Sequence, residues 1–325
     1  MRELLFLLLL ALAWFGAVNL ALSALTAAVG PLLARAALRL RPSRASAALL
    51  ALKLVPGAVA LLFIFALFLP AQWRFEPENA NESAGYTLVA LGLLGALTLA
   101  LAARRAARDY LATRRLERGW LARARSTPAM AAGGLPIYCL PDEIPIVSMA
   151  GLRKARVFVS RSVVKALTHD ELDASLAHER AHHQARDNFK RLLVACSPDL
   201  LGLWPGGREI ERRWREAVEF AADARAASGS EGRGLVLASA LLKVARMTHS
   251  PGLLAAGSLF YDGAPIWERI SRLLAPEVGE EPAPRLGRAW SVSLCGMTIV
   301  AAAVAAEGVW LGVHLATEGL VRLLP

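Results

Sequence analysis

"LAHERAHHQARDN", residues 176–188, carries three of the six histidines of the chain in a run dense with arginine. Residues four apart on an α-helix stand one above the other on a single face. The pentapeptide His178, Glu179, Arg180, Ala181, His182 therefore aims two imidazoles at one point and sets a carboxylate beside them. Zn²⁺ accepts imidazole nitrogens at about 2.0–2.1 Å. A glutamate next to such an ion can take a proton from water and return it to a leaving amine, which is the chemistry of peptide-bond hydrolysis.

That reading requires a helix, and the residues just upstream supply its start. Thr168 is a cap residue, Glu171 three positions later can reach back to it, and Leu167 can staple onto Leu172. The competing reading is a solvated basic helix in which arginine and histidine fall at this spacing by chance. A third ligand would decide between them, because a catalytic zinc site needs three protein ligands and one open position. The extended motif with a further His is excluded, since Ala185 and Asn188 occupy the positions that would need Gly and His. Asp187 lies about 140° around the helix from His182 and reaches the same ion only if the helix ends first. The better candidate is Glu219 in "EAVEFAADARAA", where Glu216, Glu219 and Asp223 fall on one helical face. Asp223 is then placed to orient a ligating histidine through its other ring nitrogen. A salt-bridged surface is the alternative for this acidic face, because Arg212 and Arg215 precede Glu216 and Glu219 by four residues.

The surrounding chain is too apolar for one ordinary soluble domain: 55% of its 325 residues are hydrophobic and its mean hydropathy is +0.42. Three transmembrane helices are predicted within residues 1–103, at about 4–33, 46–70 and 84–103, each near the roughly 20 residues that cross a bilayer core. A fourth is predicted at about 290–313 within residues 289–325, followed by a short external tail. A cleavable leader ending near "ALSA" is the competing reading of the first run. Cleavage there would place Arg35, Arg39, Arg41 and Arg44 outside, against the positive-inside rule. The arginines after residue 103 agree with the same orientation: N-terminus outside, residues 104–288 in the cytoplasm. The net charge of +10 is thereby read as topology and anionic lipid, and nucleic-acid binding is not expected. Cys139, Cys196 and Cys295 have no paired spacing, which suits a reducing compartment. Lys53 is expected to snorkel, and Asn19 and Glu307 to bond across helices or line the interface.

The intervening domain is mainly α. Residues 104–125 read as a basic helix running along or just under the membrane surface. "IPIVSMAG" and "ARVFVS" read as a β-hairpin, and "LLVACSPDLLGLWPGG" as an apolar stretch too short to span. Further helices are predicted at about 208–227, 235–247 and 266–274.

These residues carry a resemblance. "LTHDELDASLAHERAHHQARDN", "EFAAD", "LWPGG" and "YDGAPIWERISRLL", with three spans before and one after, resemble the membrane-embedded zinc peptidases typified by the BlaR and MecR antirepressors, and the related Ste24- and HtpX-type peptidases. The resemblance implies a helical zincin-like metallopeptidase domain with a small sheet, one Zn²⁺ held by His178, His182 and Glu219, Glu179 as base and Asp223 in support. It implies also that the "IPIVSMAG" edge can take an extended peptide by strand addition. Tyr261, Arg269 and His249 are candidates to stabilise an oxyanion. The antirepressors carry a sensor domain after the fourth span, whereas here the chain stops at Pro325.

The expected protein is a multi-pass membrane zinc metalloendopeptidase of the cell membrane, of bacterial inner-membrane type, acting on the cytoplasmic side. Its expected partners are a protein or peptide substrate such as a transcriptional repressor, the lipid bilayer, a separate sensor protein and a second copy of the chain. A quality-control peptidase of the HtpX kind and a non-catalytic receptor or scaffold are the alternatives.

Overall fold

Inside a bilayer the backbone finds no outside hydrogen-bond partner, so long apolar runs satisfy themselves as helices. The computed structural model describes residues 2–75, 85–126, 135–141, 145–151, 155–228, 232–248, 264–275 and 307–323. Helix α1 is Arg2–Ala37; α2 (Pro42–Phe63) passes through a π-helical turn at Ile64–Phe68 into α3 (Leu69–Phe75); α4 is Tyr86–Arg123. Three stretches, Glu3–Ala37, Pro42–Phe75 and Tyr86–Arg123, are long and apolar enough to cross a membrane, as the sequence leads one to expect. Helix α4 lies so close to α1 that a Cβ on Gly95 would stand 2.1 Å from the Leu12 carbonyl oxygen.

The basic segment after residue 103 differs from expectation. It continues α4 without a break, so it leads away from the apolar run instead of starting a separate surface helix. Its far end docks on a sheet, with Trp120 buried against Phe158 at a ring separation of 5.0 Å and Glu117 paired with Arg156.

That sheet has strands β1 (Arg125–Ser126), β2 (Ile137–Leu140), β3 (Val147–Ala150) and β4 (Arg156–Ser160) in the order β1-β2-β4-β3. The expected hairpin is the antiparallel β3–β4 pair, with Val147 opposite Val159. Strand β2 was not anticipated; its four residues are too few to declare an alternation, and it pairs parallel to β4. Strand β3 is left at the edge.

Helix α5 (Arg161–Ala166) follows, capped by Ser160, and then α6 (His169–Ala185). The capping box is formed: the Thr168 N–H donates to Glu171 Oε2 at 2.8 Å, and the Glu171 N–H donates to Thr168 Oγ1 at 3.3 Å. Leu167 and Leu172 sit in one apolar cluster with Val157 and Val159 of β4, which seats α6 on the sheet. Then come α7 (Asp187–Cys196), a 3₁₀ turn at Leu201–Leu203, α8 (Pro205–Ala227), α9 (Arg233–Thr248), α10 (Ile266–Leu274) and α11 (Glu307–Leu323). Lys243 and Ser239 of α9 each donate to the Glu171 carboxylate at 2.7 Å. Burial raises the pKa of that carboxyl, but these donors and the Thr168 N–H hold it down to about 2. Of the expected fourth span, residues 290–306 lie outside the described residues, and α11 carries the chain from Glu307 past its expected end.

The segment between α7 and α8 does more than dip toward an interface. Ser197, Pro198, Asp199 and Leu200 are buried among the spans. Asn19 of α1 donates to the Pro198 carbonyl, Ser23 Oγ accepts the Leu200 N–H at 3.2 Å, and Arg105 of α4 donates to the Ser197 carbonyl at 2.8 Å. Asn19 thus bonds the loop between α7 and α8 instead of a neighbouring helix. Lys53 does not snorkel: it is 3% exposed, and its Nζ lies 3.2 Å from Asp199 Oδ1 and 3.5 Å from Glu211 of α8. Helix α8 itself touches α1, where a Cβ on Gly206 would meet the Ala27 carbonyl oxygen at 1.9 Å.

Removing one member of a buried ion pair strands the other, at a cost of about 3–5 kcal/mol. Lys53→Met is expected to lower the thermal midpoint of the detergent-solubilised protein by several degrees, and Lys53→Met with Asp199→Asn to regain most of it. Equal midpoints for wild type and the single variant would contradict the pairing.

Candidate metal centre

Helices α6 and α8 pack against each other, and their contact brings two motifs together that lie about forty residues apart in the chain. His178 and His182 project from α6, Glu219 and Asp223 from α8, and all four are buried. Nε2 of His178 lies 3.1 Å from Nε2 of His182, 3.6 Å from Glu219 Oε2; His182 Nε2 lies 3.7 Å from Glu219 Oε1. Ligand atoms around a tetrahedral ion with bonds of about 2.0–2.1 Å are separated by roughly 3.3–3.4 Å. The observed spacings bracket that value. Two imidazole nitrogens turned on one another, with a carboxylate oxygen completing the triangle, form a donor set that fits zinc.

Each imidazole is fixed from behind. His178 Nδ1 lies 2.9 Å from Asp223 Oδ1. His182 Nδ1 bonds Asp187 Oδ2 at 2.8 Å. Such partners orient the ring and raise its basicity as a ligand. On a continuous helix Asp187 would point away from His182. Helix α6 in fact stops at Arg186, the sole non-glycine residue at positive φ among those described, with φ 56° and ψ 39°. That left-handed residue, a conformation costing roughly 1–2 kcal/mol, turns the chain so that Asp187 returns to His182.

Arg269 of α10 enters the same cluster. Its Nε and Nη2 each donate to Asp223 at 2.7 Å, and Nη1 lies 3.2 Å from Glu219 Oε2. These contacts make it the counter-ion of the two α8 carboxylates, and it also lines the cleft. Burial opposes ionisation of Asp223, but the Arg269 guanidinium holds its carboxyl down to about 2. Burial likewise lowers the histidines, yet the surrounding carboxylates prevail and push both upward, His182 to about 10.

Glu179 stands beside this cluster, where its Oε2 accepts the Met149 N–H of β3 at 2.8 Å. Asn188 Nδ2 donates to the Met149 and Gly151 carbonyls at 3.5 and 3.4 Å, so both ends of the motif grip the edge strand. The groups surround a cleft of about 220 Å³. Glu216 faces Arg212 instead of the cluster, as the salt-bridged alternative for that residue has it. Tyr261 and His249 lie outside the described residues.

Residues 148–277 match the model of Peptidase family M48, a span that takes in α6, α8, α9 and α10. This supports a zinc metallopeptidase in general and does not single out the antirepressor branch. Searches of curated proteins and of solved structures returned no match.

Purified wild-type protein should hold about one zinc per chain, and Glu219→Ala well under half of that by elemental analysis. Asp187→Ala should keep the site but weaken zinc about 10–100-fold in competition with a chelator. Unchanged affinity in the Asp187 variant would remove that residue from the centre.

Proposed function

We propose that this chain is a membrane zinc metalloendopeptidase that hydrolyses peptide bonds on the cytoplasmic side of the membrane, with a regulatory protein as its substrate. The observation that carries the reading is the convergence of His178, His182 and Glu219 from two helices, with Glu179 beside them and not among the ligands. When bound at these three side chains, zinc supplies a Lewis acid that polarises a carbonyl and lowers the pKa of water toward about 7. Everything else belongs to the chain.

Asp223 and Asp187 hold the two imidazoles so that each Nε2 faces inward. Glu179 Oε2 is the base: it accepts the proton of the attacking water and hands it to the amine that departs. The Met149 N–H fixes this carboxylate in place. Strand β3 offers the substrate its outer edge. Its even-numbered residues face β4, since the Ser160 N–H bonds the Ile146 carbonyl, so the main-chain groups of Val147 point to the cleft side. A peptide that meets this edge at Val147 gains main-chain hydrogen bonds there irrespective of sequence, next to Met149, whose N–H and carbonyl are held by Glu179 and Asn188.

The orientation rests on the arginines of the α1–α2 connector and of the second half of α4, which lie at the ends of their spans that the positive-inside rule assigns to the cytoplasm. An intact base argues for an enzyme over a receptor or scaffold that merely keeps the fold.

Glu179→Gln is expected to retain zinc while losing about 10²–10⁴-fold in peptide cleavage. Cleavage at the wild-type rate would end the proposal.

A further inference from the structure

Beyond the metal ligands, the cleft carries a charge that hydrolysis leaves unused; this inference rests on the peptidase reading above. Among the described residues two arginines line the cleft, Arg269 and Arg191. Arg269 is buried and committed, its guanidinium held by Asp223 and Glu219. Arg191, near the middle of α7, is the opposite. Its side chain is 57% exposed, and its one carboxylate neighbour among the described residues is Glu219, whose Oε1 lies 3.5 Å from Nη2. That carboxylate is shared, since Glu219 also faces His178, His182 and Arg269. A guanidinium presents five N–H donors in a planar fork, and one long contact leaves most of them for a ligand. Asn188 stands three residues earlier on the same face of α7 and donates to the Met149 and Gly151 carbonyls. Arg191 is thus one helical turn from the residue that holds the edge strand, in the cleft that Glu179 also lines.

We propose that Arg191 is a specificity residue that recognises a carboxylate of the substrate, on an acidic side chain close to the scissile bond. The guanidinium fork matches a carboxylate with two parallel N–H···O bonds, a geometry that an ammonium group does not reproduce. The rest of the cleft selects against such a group. Glu179, Asp187 and Glu219 line it as well, so an acidic side chain placed away from Arg191 meets like charge. One position relative to the cut bond is therefore favoured for Asp or Glu. A free C-terminus offers the same chemistry, but only to an enzyme that cuts at chain ends. Because Arg191 is more than half exposed, solvent screens the pair and holds its effect to about tenfold.

The test uses the full-length, zinc-loaded protein in detergent micelles, with quenched peptides whose ends are acetylated and amidated and in which one position at a time carries Glu, Gln or Lys. At one position flanking the cut, Glu should exceed Gln by about tenfold in kcat/KM and Lys should fall below both. Raising the salt to about 1 M should shrink the gap. Arg191→Gln should erase it while holding about one zinc per chain, Arg191→Lys should keep part of it, and Arg191→Glu should reverse it in favour of Lys. Titrated by fluorescence anisotropy into the Glu179→Gln protein, the Glu peptide should bind more tightly than the Gln peptide, and adding Arg191→Gln should make the two equal. No preference for Glu at any position, a preference that survives Arg191→Gln, or loss of zinc in that variant overturns the assignment and leaves the peptidase standing. So does an equal fall in kcat for all three peptides in Arg191→Gln, which places the guanidinium at the reacting carbonyl, or a gain from a free C-terminal acid with none from Glu, which places a chain end there. Zinc-loaded protein that cleaves none of the peptides overturns the peptidase reading, and the Kd comparison in Glu179→Gln then decides on Arg191 by itself.

Discussion

Helix α8 serves two masters, and the rest of the structure follows from that constraint. Its first half is locked to the apolar bundle: Gly206 abuts the α1 backbone, Ile210 is buried against Gly30, and Glu211 meets Lys53 of α2. Its second half carries Glu219 and Asp223 into the metal centre. A helix is stiff over two or three turns, so the position of the third ligand is fixed with respect to the spans. The portion that carries the histidine motif is not hung from the apolar helices by a linker. It shares a structural beam with them.

Buried charge is handled the same way throughout. Lys53 with Asp199, Arg269 with Asp223 and Glu219, and Lys190 with Asp187 each set a cation against a carboxylate that would otherwise be stranded away from water. In the bundle this fixes the loop between α7 and α8. At the centre it leaves two imidazole nitrogens and one carboxylate oxygen facing a common point. Such a donor set fits a divalent cation.

How much of this could be read beforehand depended on the range of the interaction. Local signals were plain: the Thr168–Glu171 capping box, the i, i+4 histidines and the β3–β4 hairpin each lie within a few residues and obey one periodicity. Glu219 and Asp223 were legible because their helical face was acidic and the histidine motif demanded a partner. What escaped depended on the fold. Lys53 looked like a snorkelling residue because its partner lies 146 residues away. Asp187 was missed because the helix stops on a left-handed arginine, a conformation that propensity disfavours. Strand β2 was too short to announce itself, and the continuity of α4 was hidden by the change from apolar to basic composition along one helix.

The central claim is that two histidines and one glutamate share a single zinc ion. X-ray absorption at the zinc edge of the purified protein addresses it without recourse to activity. A first shell of nitrogen and oxygen scatterers at about 2.0–2.1 Å, with the outer-shell pattern of two imidazoles, is the result expected. A sulfur scatterer near 2.3 Å, or a shell without imidazole, would contradict it.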